Sequence, residues 1–226
     1  MGESKRTVLV LGGSSGAGRA IALELARSGW AVGVAGGVPE FAEQTAIDIR
    51  QAGGQGCAFP VCLPREESID ALFAAFLARF GRLDGLVAAE MVDDPGSFLA
   101  LPLEQWQRTL RFNVDGTILC CQQAARQMLA QGRENGPYSI LLLLSARGCS
   151  QDGNDAAFCA SNWALRGLMR HLARNLAAGN ITVNALAWEQ GAGWQGLAQT
   201  AQYLLSPQAA NVTGMTLLDG DGALMA

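Results

Sequence analysis

Lysine is almost absent from this chain of 226 residues: Lys5 is the only one, and it stands ahead of the first strand. Histidine is as scarce, with His171 alone, and tyrosine occurs only at Tyr138 and Tyr203. A single histidine and six cysteines (57, 62, 120, 121, 149 and 159) without a CxxC pair do not match zinc-ligand spacing, so no metal is expected. The same cysteines read as free thiols of a reducing cytosol. The arginines are scattered and the net charge is only −4, so no nucleic-acid partner is expected. No apolar run approaches the length of a membrane span; the run Ile140-Leu141-Leu142-Leu143-Leu144 suits a short buried strand. Residues 1–7 are polar and lead straight into a strand, so the reading expects no signal peptide and a cytoplasmic protein.

What is present is a chain built to pack. Half of it, 50%, is hydrophobic and only 16% is charged, which argues against disorder and for one domain over 1–226. Strand and helix signals alternate throughout. Strands are expected at 7–11, 31–35, 56–62, 84–88, 139–144, 182–187 and 215–218, with Tyr138 just before the fifth. Helices are expected at 16–28, 40–52, 68–80, 103–111, 114–131, 155–178 and 193–205. Ile21, Ala22 and Leu25 share one face of the first helix. Ile69, Leu72, Phe73, Phe76 and Leu77 point inward from the third, which Gly81 closes. Apolar strands alternating with helices imply an α/β fold: a doubly wound parallel sheet of about seven strands covered by helices on both faces.

The first strand runs into Gly12-Gly13-Ser14-Ser15-Gly16-Ala17-Gly18, and a helix opens directly behind it. Such a turn lets the backbone approach a pyrophosphate, and the helix N-terminus presents free N–H groups and a positive dipole. The same glycines also serve close helix–strand packing, and the sequence leaves both readings open. Arg19 stands where it either helps an anion or lies on an exposed helix face.

With these pieces the chain resembles the short-chain dehydrogenase/reductase family, of the kind that includes ketoacyl-carrier-protein reductases. The resemblance is carried by Gly12-x3-Gly16-x-Gly18, by Phe80-Gly81-Arg82-Leu83-Asp84-Gly85-Leu86-Val87, and by Asn113 and Ser145. It continues in Ile181-Thr182-Val183-Asn184-Ala185 and in Val212-Thr213-Gly214-Met215-Thr216 with Asp219-Gly220. It implies a Rossmann fold and a dinucleotide, NADP or NAD, held by Gly12, Ser14, Ser15, Gly16 and Gly18, with Cys62 and Ala88 at further cofactor positions. It also implies a catalytic serine at Ser145, a helix-kinking asparagine at Asn113 that orders a relay water, and a Tyr-x3-Lys pair on the helix after strand five. That spacing puts the two groups one turn apart on one face, where the tyrosine exchanges the substrate proton and the lysine lowers its pKa.

The pair is replaced. Thirteen residues beyond Ser145 stands Phe158, and four beyond that Asn162, and no tyrosine or second lysine exists nearby to take their place. Other positions that the resemblance places against cofactor or substrate also differ. The family's Asn-Asn-Ala-Gly reads Ala88-Ala89-Glu90-Met91, and its Pro-Gly after strand six reads Trp188-Glu189. An adenine-contacting aspartate reads Cys62. Gly36 and Gly37 encode neither NAD nor NADP preference, and the usual long substrate lid between strand six and the last helix is absent. Cys149 and Cys159 read as small buried fillers without an activating base. Asp152, Asn154 and Asp155 suit a solvated turn and an N-cap, or an acid–base group arriving from a new direction.

Three functions remain open at this stage. The first is a non-catalytic member that forms a homo-oligomer, or a hetero-oligomer with an active relative. Helices 114–131 and 155–178 would be the contact, the latter through Ala156, Ala160, Ala164 and Leu168. The second is a nucleotide-binding sensor. The third is an atypical oxidoreductase that uses Ser145 and water.

Overall fold

The computed structural model describes residues 5–149, 155–189 and 193–219. Its elements are β1 (Thr7–Leu11), α1 (Gly16–Arg27), β2 (Ala31–Gly36), α2 (Pro39–Gln51), β3 (Gln55–Pro60), α3 (Glu66–Phe80), β4 (Gly85–Ala88), α4 (Leu103–Leu110), α5 (Gly116–Ala130), β5 (Tyr138–Ser145), α6 (Ala146–Cys149), α7 (Ala156–Leu176), β6 (Ile181–Trp188), α8 (Trp194–Leu205) and β7 (Thr216–Asp219). The seven strands form one sheet in the order β3-β2-β1-β4-β5-β6-β7. Every neighbouring pair is parallel.

The apolar strands are buried because the sheet is covered on both sides. Along β1 and β5 every residue is buried. One face packs Ile69, Phe76, Met128 and Met169 from α3, α5 and α7. The opposite face packs Ile21, Leu25, Ile49 and Leu204 from α1, α2 and α8. Helix α3 stops where expected, at Gly81 with φ of 80°, a left-handed turn that glycine adopts without steric cost.

Several boundaries differ from the sequence reading. Tyr138 opens β5 rather than preceding it. Its backbone N–H donates to the Asn180 carbonyl at 2.9 Å, and its hydroxyl to the Gly132 carbonyl at 2.9 Å. Strand β3 ends at Pro60, so Cys62 lies beyond it and is exposed. Asp155 caps α7 from outside by accepting the Phe158 N–H at 3.0 Å, and the end of that helix tightens into a 3-10 turn over Ala177–Gly179. Between α4 and α5 the chain makes a π-helical stretch over Arg111–Asp115, where two separate helices were expected. Here the Thr117 hydroxyl donates to the Asn113 carbonyl at 2.7 Å. A widened turn of this kind re-aims the side chains it carries.

Polar residues of the family-like motifs pin this framework. Asp84 is buried at 1% exposure; it accepts from the Thr7 N–H at 2.8 Å and pairs with Arg82. That ties the start of β4 to the start of β1. At the other edge, Asn184 donates to the Val212 carbonyl at 2.8 Å and accepts from the Met215 N–H at 3.1 Å. The order of the sheet reverses between β1 and β4, and ligands of doubly wound sheets enter beyond the strand ends at such a reversal.

Candidate active site

At that reversal lies a cleft of about 330 Å³. Its walls are the β1–α1 turn (Gly12, Ser14, Ser15, Gly16, Ala17 and Gly18), the segment after β4 (Ala89, Glu90 and Met91), Leu143 of β5, and Trp188 and Trp194. Five of the expected cofactor positions, Gly12, Ser14, Ser15, Gly16 and Gly18, therefore stand together. Ala88 is buried in β4 and Cys62 stands beyond β3, and neither lines the cleft.

Packing accounts for part of the glycine pattern. A Cβ on Gly18 would lie 2.2 Å from the Gly12 carbonyl oxygen, a contact no side chain can make. Gly16 is different: its φ is +51° and a Cβ there would meet nothing within 4 Å, so it answers to backbone conformation at the open mouth. Ser15 is the N-cap of α1 and makes no side-chain cap, which leaves the helix end to other acceptors. Arg19 does not face this end; it pairs with Asp48 at 2.6 Å.

The anionic group at the turn is supplied by the chain itself. Burial raises the pKa of the Glu90 carboxyl above the ordinary glutamate value, against the opposing pull of the Gly12 backbone N–H. Its Oε2 is buried without a hydrogen-bond partner. Trp188 and Trp194 close the opposite wall edge to face, with centroids 5.0 Å apart. None of the described lining residues is cationic. The glycine turn suits a pyrophosphate by shape, but an ionised carboxylate beside it does not.

The catalytic positions are brought together as the spacing implies, and their polar atoms are bonded to one another. Phe158 and Asn162 are buried at 4% and 2% exposure. Asn162 Oδ1 accepts the Ser145 N–H at 2.8 Å, and its Nδ2 donates to the Phe158 carbonyl at 2.9 Å. The side chain thus staples the end of β5 to α7. Ser145 Oγ accepts from the Gly148 N–H at 3.4 Å and so steadies the first turn of α6. Asn113 accepts from the Val92 N–H at 2.8 Å and donates to the Val92 carbonyl at 2.9 Å and to Ser161 Oγ at 3.1 Å. Ser161 Oγ in turn donates to the Phe158 carbonyl at 2.7 Å. Both amide hydrogens of Asn113 are therefore used within the protein. The sequence reading missed Ser161, although it stands one turn after Phe158 on the same helix face.

Where a tyrosine hydroxyl would act, the Phe158 ring lies under the Arg147 guanidinium at 5.8 Å, and Arg147 pairs with Asp93. Asp93 is pushed above the ordinary aspartate range by burial and by its hydrogen bond with Asp155, while Arg147 opposes the shift. Asp155 also accepts from the Asp94 N–H at 3.0 Å. Asp152 and Asn154 lie outside the described residues, as does Gly220. The thiols of Cys149 and Cys159 are raised chiefly by burial, the opposite of what a nucleophile needs. Among the described residues no group of three or more histidines, cysteines and acids could hold a metal, and no helix is long and apolar enough to cross a membrane.

Comparison with known proteins agrees with this architecture. The short chain dehydrogenase family matches residues 6–188. Cis-4-hydroxycyclohexanecarboxylate dehydrogenase of Sinomonas cyclohexanicum is 34% identical over 190 residues, which is 83% of this chain and 74% of that protein. A 3-oxoacyl-(acyl-carrier-protein) reductase of Staphylococcus aureus is 32% identical over 183 residues, covering 80% and 73% of the two chains. The crystal structure of acetoin dehydrogenase from Enterobacter cloacae superposes with a TM-score of 0.89 at 26% identity, over 96% of this chain and 95% of that one. The family match over residues 6–188 and relatives above 30% identity across most of both chains lead to one conclusion: the chain belongs to the short-chain dehydrogenase/reductase family.

Proposed function

We propose that this protein is a non-catalytic member of its oxidoreductase family, cytoplasmic, acting as an oligomer subunit with its own copies or with an active relative. The observation that carries the reading is Asn162: at the position where the family resemblance implies a lysine, a buried neutral amide joins Ser145 to Phe158. A phenyl ring beside it has no proton to exchange. Retained glycines and retained sheet pins keep the framework, while the groups that move protons have become part of the packing.

Helices α5 and α7 are the proposed contact. On α7, Trp163 is 46% exposed, Ala164 and Gly167 are exposed, and Ala156, Ala160 and Leu168 are half-buried. Small residues let a second helix approach closely. The test is twofold. Light scattering after size exclusion reads the assembly, and cofactor oxidation with ketone and ketoacyl substrates reads turnover. A multimer without turnover is the expected result. A monomer at working concentration with no co-purifying relative, or steady NADPH oxidation lost in Ser145→Ala, would remove the reading; the second outcome would establish the atypical oxidoreductase that uses Ser145.

One observation favours a sensor as the second reading. The α1 N-terminus still opens on the cleft without a side-chain cap. NAD(P) binding is general to the family, and a thermal shift with NADH or NADPH checks it in this chain.

A further inference from the structure

The glycine-turn wall of the cleft holds a carboxyl that no described lining residue neutralises. Glu90 sits one residue past Ala89, whose N–H donates to the Leu11 carbonyl at 3.1 Å, so the backbone that carries it is tied to β1. A Cβ on Gly12 would come within 2.8 Å of the Ala89 carbonyl carbon and the Glu90 nitrogen, so the two segments are already in close contact. In that fixed position the carboxylate lies by the Gly12 turn, and its Oε2 is buried without a partner among the described residues. The nearest cation on the first helix is held away by Asp48.

We propose that Glu90 is a built-in anion that occupies the phosphate end of the cleft and decides which ligands it admits, turning away a dinucleotide pyrophosphate while its carboxylate is ionised. Like charges in a site of low dielectric repel strongly, and here the second charge would arrive beside a carboxylate with no cation among the described residues that line the cleft. Protonation of Glu90 removes the repulsion without moving a wall.

Among the described residues that line the cleft, Glu90 is the one carboxyl. The β1–α1 turn contributes glycines, serines and an alanine. The segment after β4 contributes Met91, β5 contributes Leu143, and the β6 end and α8 contribute two tryptophans. The other acids near this wall are Glu189, which follows Trp188, and Asp219, which is in register with Trp188 on β7 and whose pKa burial also raises. A Glu90 variant separates its effect from theirs.

The inference rests on the family assignment of the cleft and not on the absence of turnover, so binding and catalysis fail separately. The experiment is isothermal titration of the intact protein and of Glu90→Gln and Glu90→Ala with NAD+ and NADH, at about pH 8 and pH 6, with thermal melts to verify folding. Gln is close in size to Glu and keeps a hydrogen bond available to Gly12; Ala is the second variant should Gln fail to fold. The expected result is binding by the variants about 100-fold tighter than by the natural protein at the higher pH. The gap should narrow at the lower pH, and the variants should lose the pH dependence. Equal affinity of natural protein and variants at the higher pH would overturn the proposal, as would absence of binding by folded variants at either pH.

Discussion

The cluster around Asn162 and the glycine-turn cleft meet their polar atoms in opposite ways. On the catalytic side, Asn113, Ser145, Ser161 and Asn162 satisfy one another and the backbone. On the glycine-turn side, the α1 N-terminus lacks a side-chain cap and Glu90 keeps a buried oxygen without a partner. Buried polar side chains are satisfied by local bonds wherever the fold offers partners, as it does around Asn162. The glycine turn consists of backbone, and its character is set by the side chain beside it. The contrast teaches that one region is organised by packing and hydrogen bonds and the other by a single charge.

That contrast can be broken most sharply on the catalytic side. The double variant Phe158→Tyr with Asn162→Lys restores the family pair in name. It also sets an ammonium where a 2% exposed amide now joins strand to helix, and Glu90 and Trp188 remain. We expect a loss of about 3 kcal/mol or more in denaturant unfolding and no ketoacyl reduction. A stable double variant that turns over would show that the catalytic half was never repacked.

Asn113→Ala comes next. It leaves the Val92 N–H and carbonyl without their partner and unties Ser161, for an expected cost of about 2–3 kcal/mol. A loss below about 0.5 kcal/mol in chemical denaturation would remove Asn113 from the structural network.

On the other side of the cleft the sign reverses. Burial raises the Glu90 pKa in the folded state, so the fold holds a proton that the unfolded chain has already released as pH rises through the carboxylate range. The contribution is whole at pH below the unfolded value and is lost as pH climbs through the folded value. Glu90→Gln should therefore melt higher than the natural protein at neutral pH, with the difference closing in acid. An unchanged difference across the range would assign the effect to packing and not to charge.

The smallest effect belongs to Ser145→Ala, whose Oγ accepts, among the described residues, the Gly148 N–H at 3.4 Å. A cost under about 1 kcal/mol is expected, with no change in cofactor oxidation. A measurable fall in turnover would restore the serine to a catalytic role.

The β1 run, the alternation of elements and the stop at Gly81 were legible because local periodicity and turn chemistry act over a few neighbours. The π-helical stretch at Asn113 was not, because it depends on how α4 and the stretch itself pack against α7. Cys62 was misplaced for a related reason: the end of β3 is set by its pairing with β2, which stops at Gly36 opposite Pro60. Within the site, Phe158 and Asn162 could be found by counting from Ser145. Their bonds could not, since a spacing does not say which carbonyl an amide will reach.

The sequence by itself determined the family framework and the identity of Phe158 and Asn162 beyond Ser145, because both are matters of residue type at fixed intervals along the chain. Only the tertiary structure decided what those side chains meet. Parallel pairing of β1 with β4 brings Glu90 beside the Gly12 turn, and packing of α7 against β5 brings Asn162 onto the Ser145 N–H. Contacts between distant segments are set by the sheet's order and register, and that is where the character of this cleft was fixed.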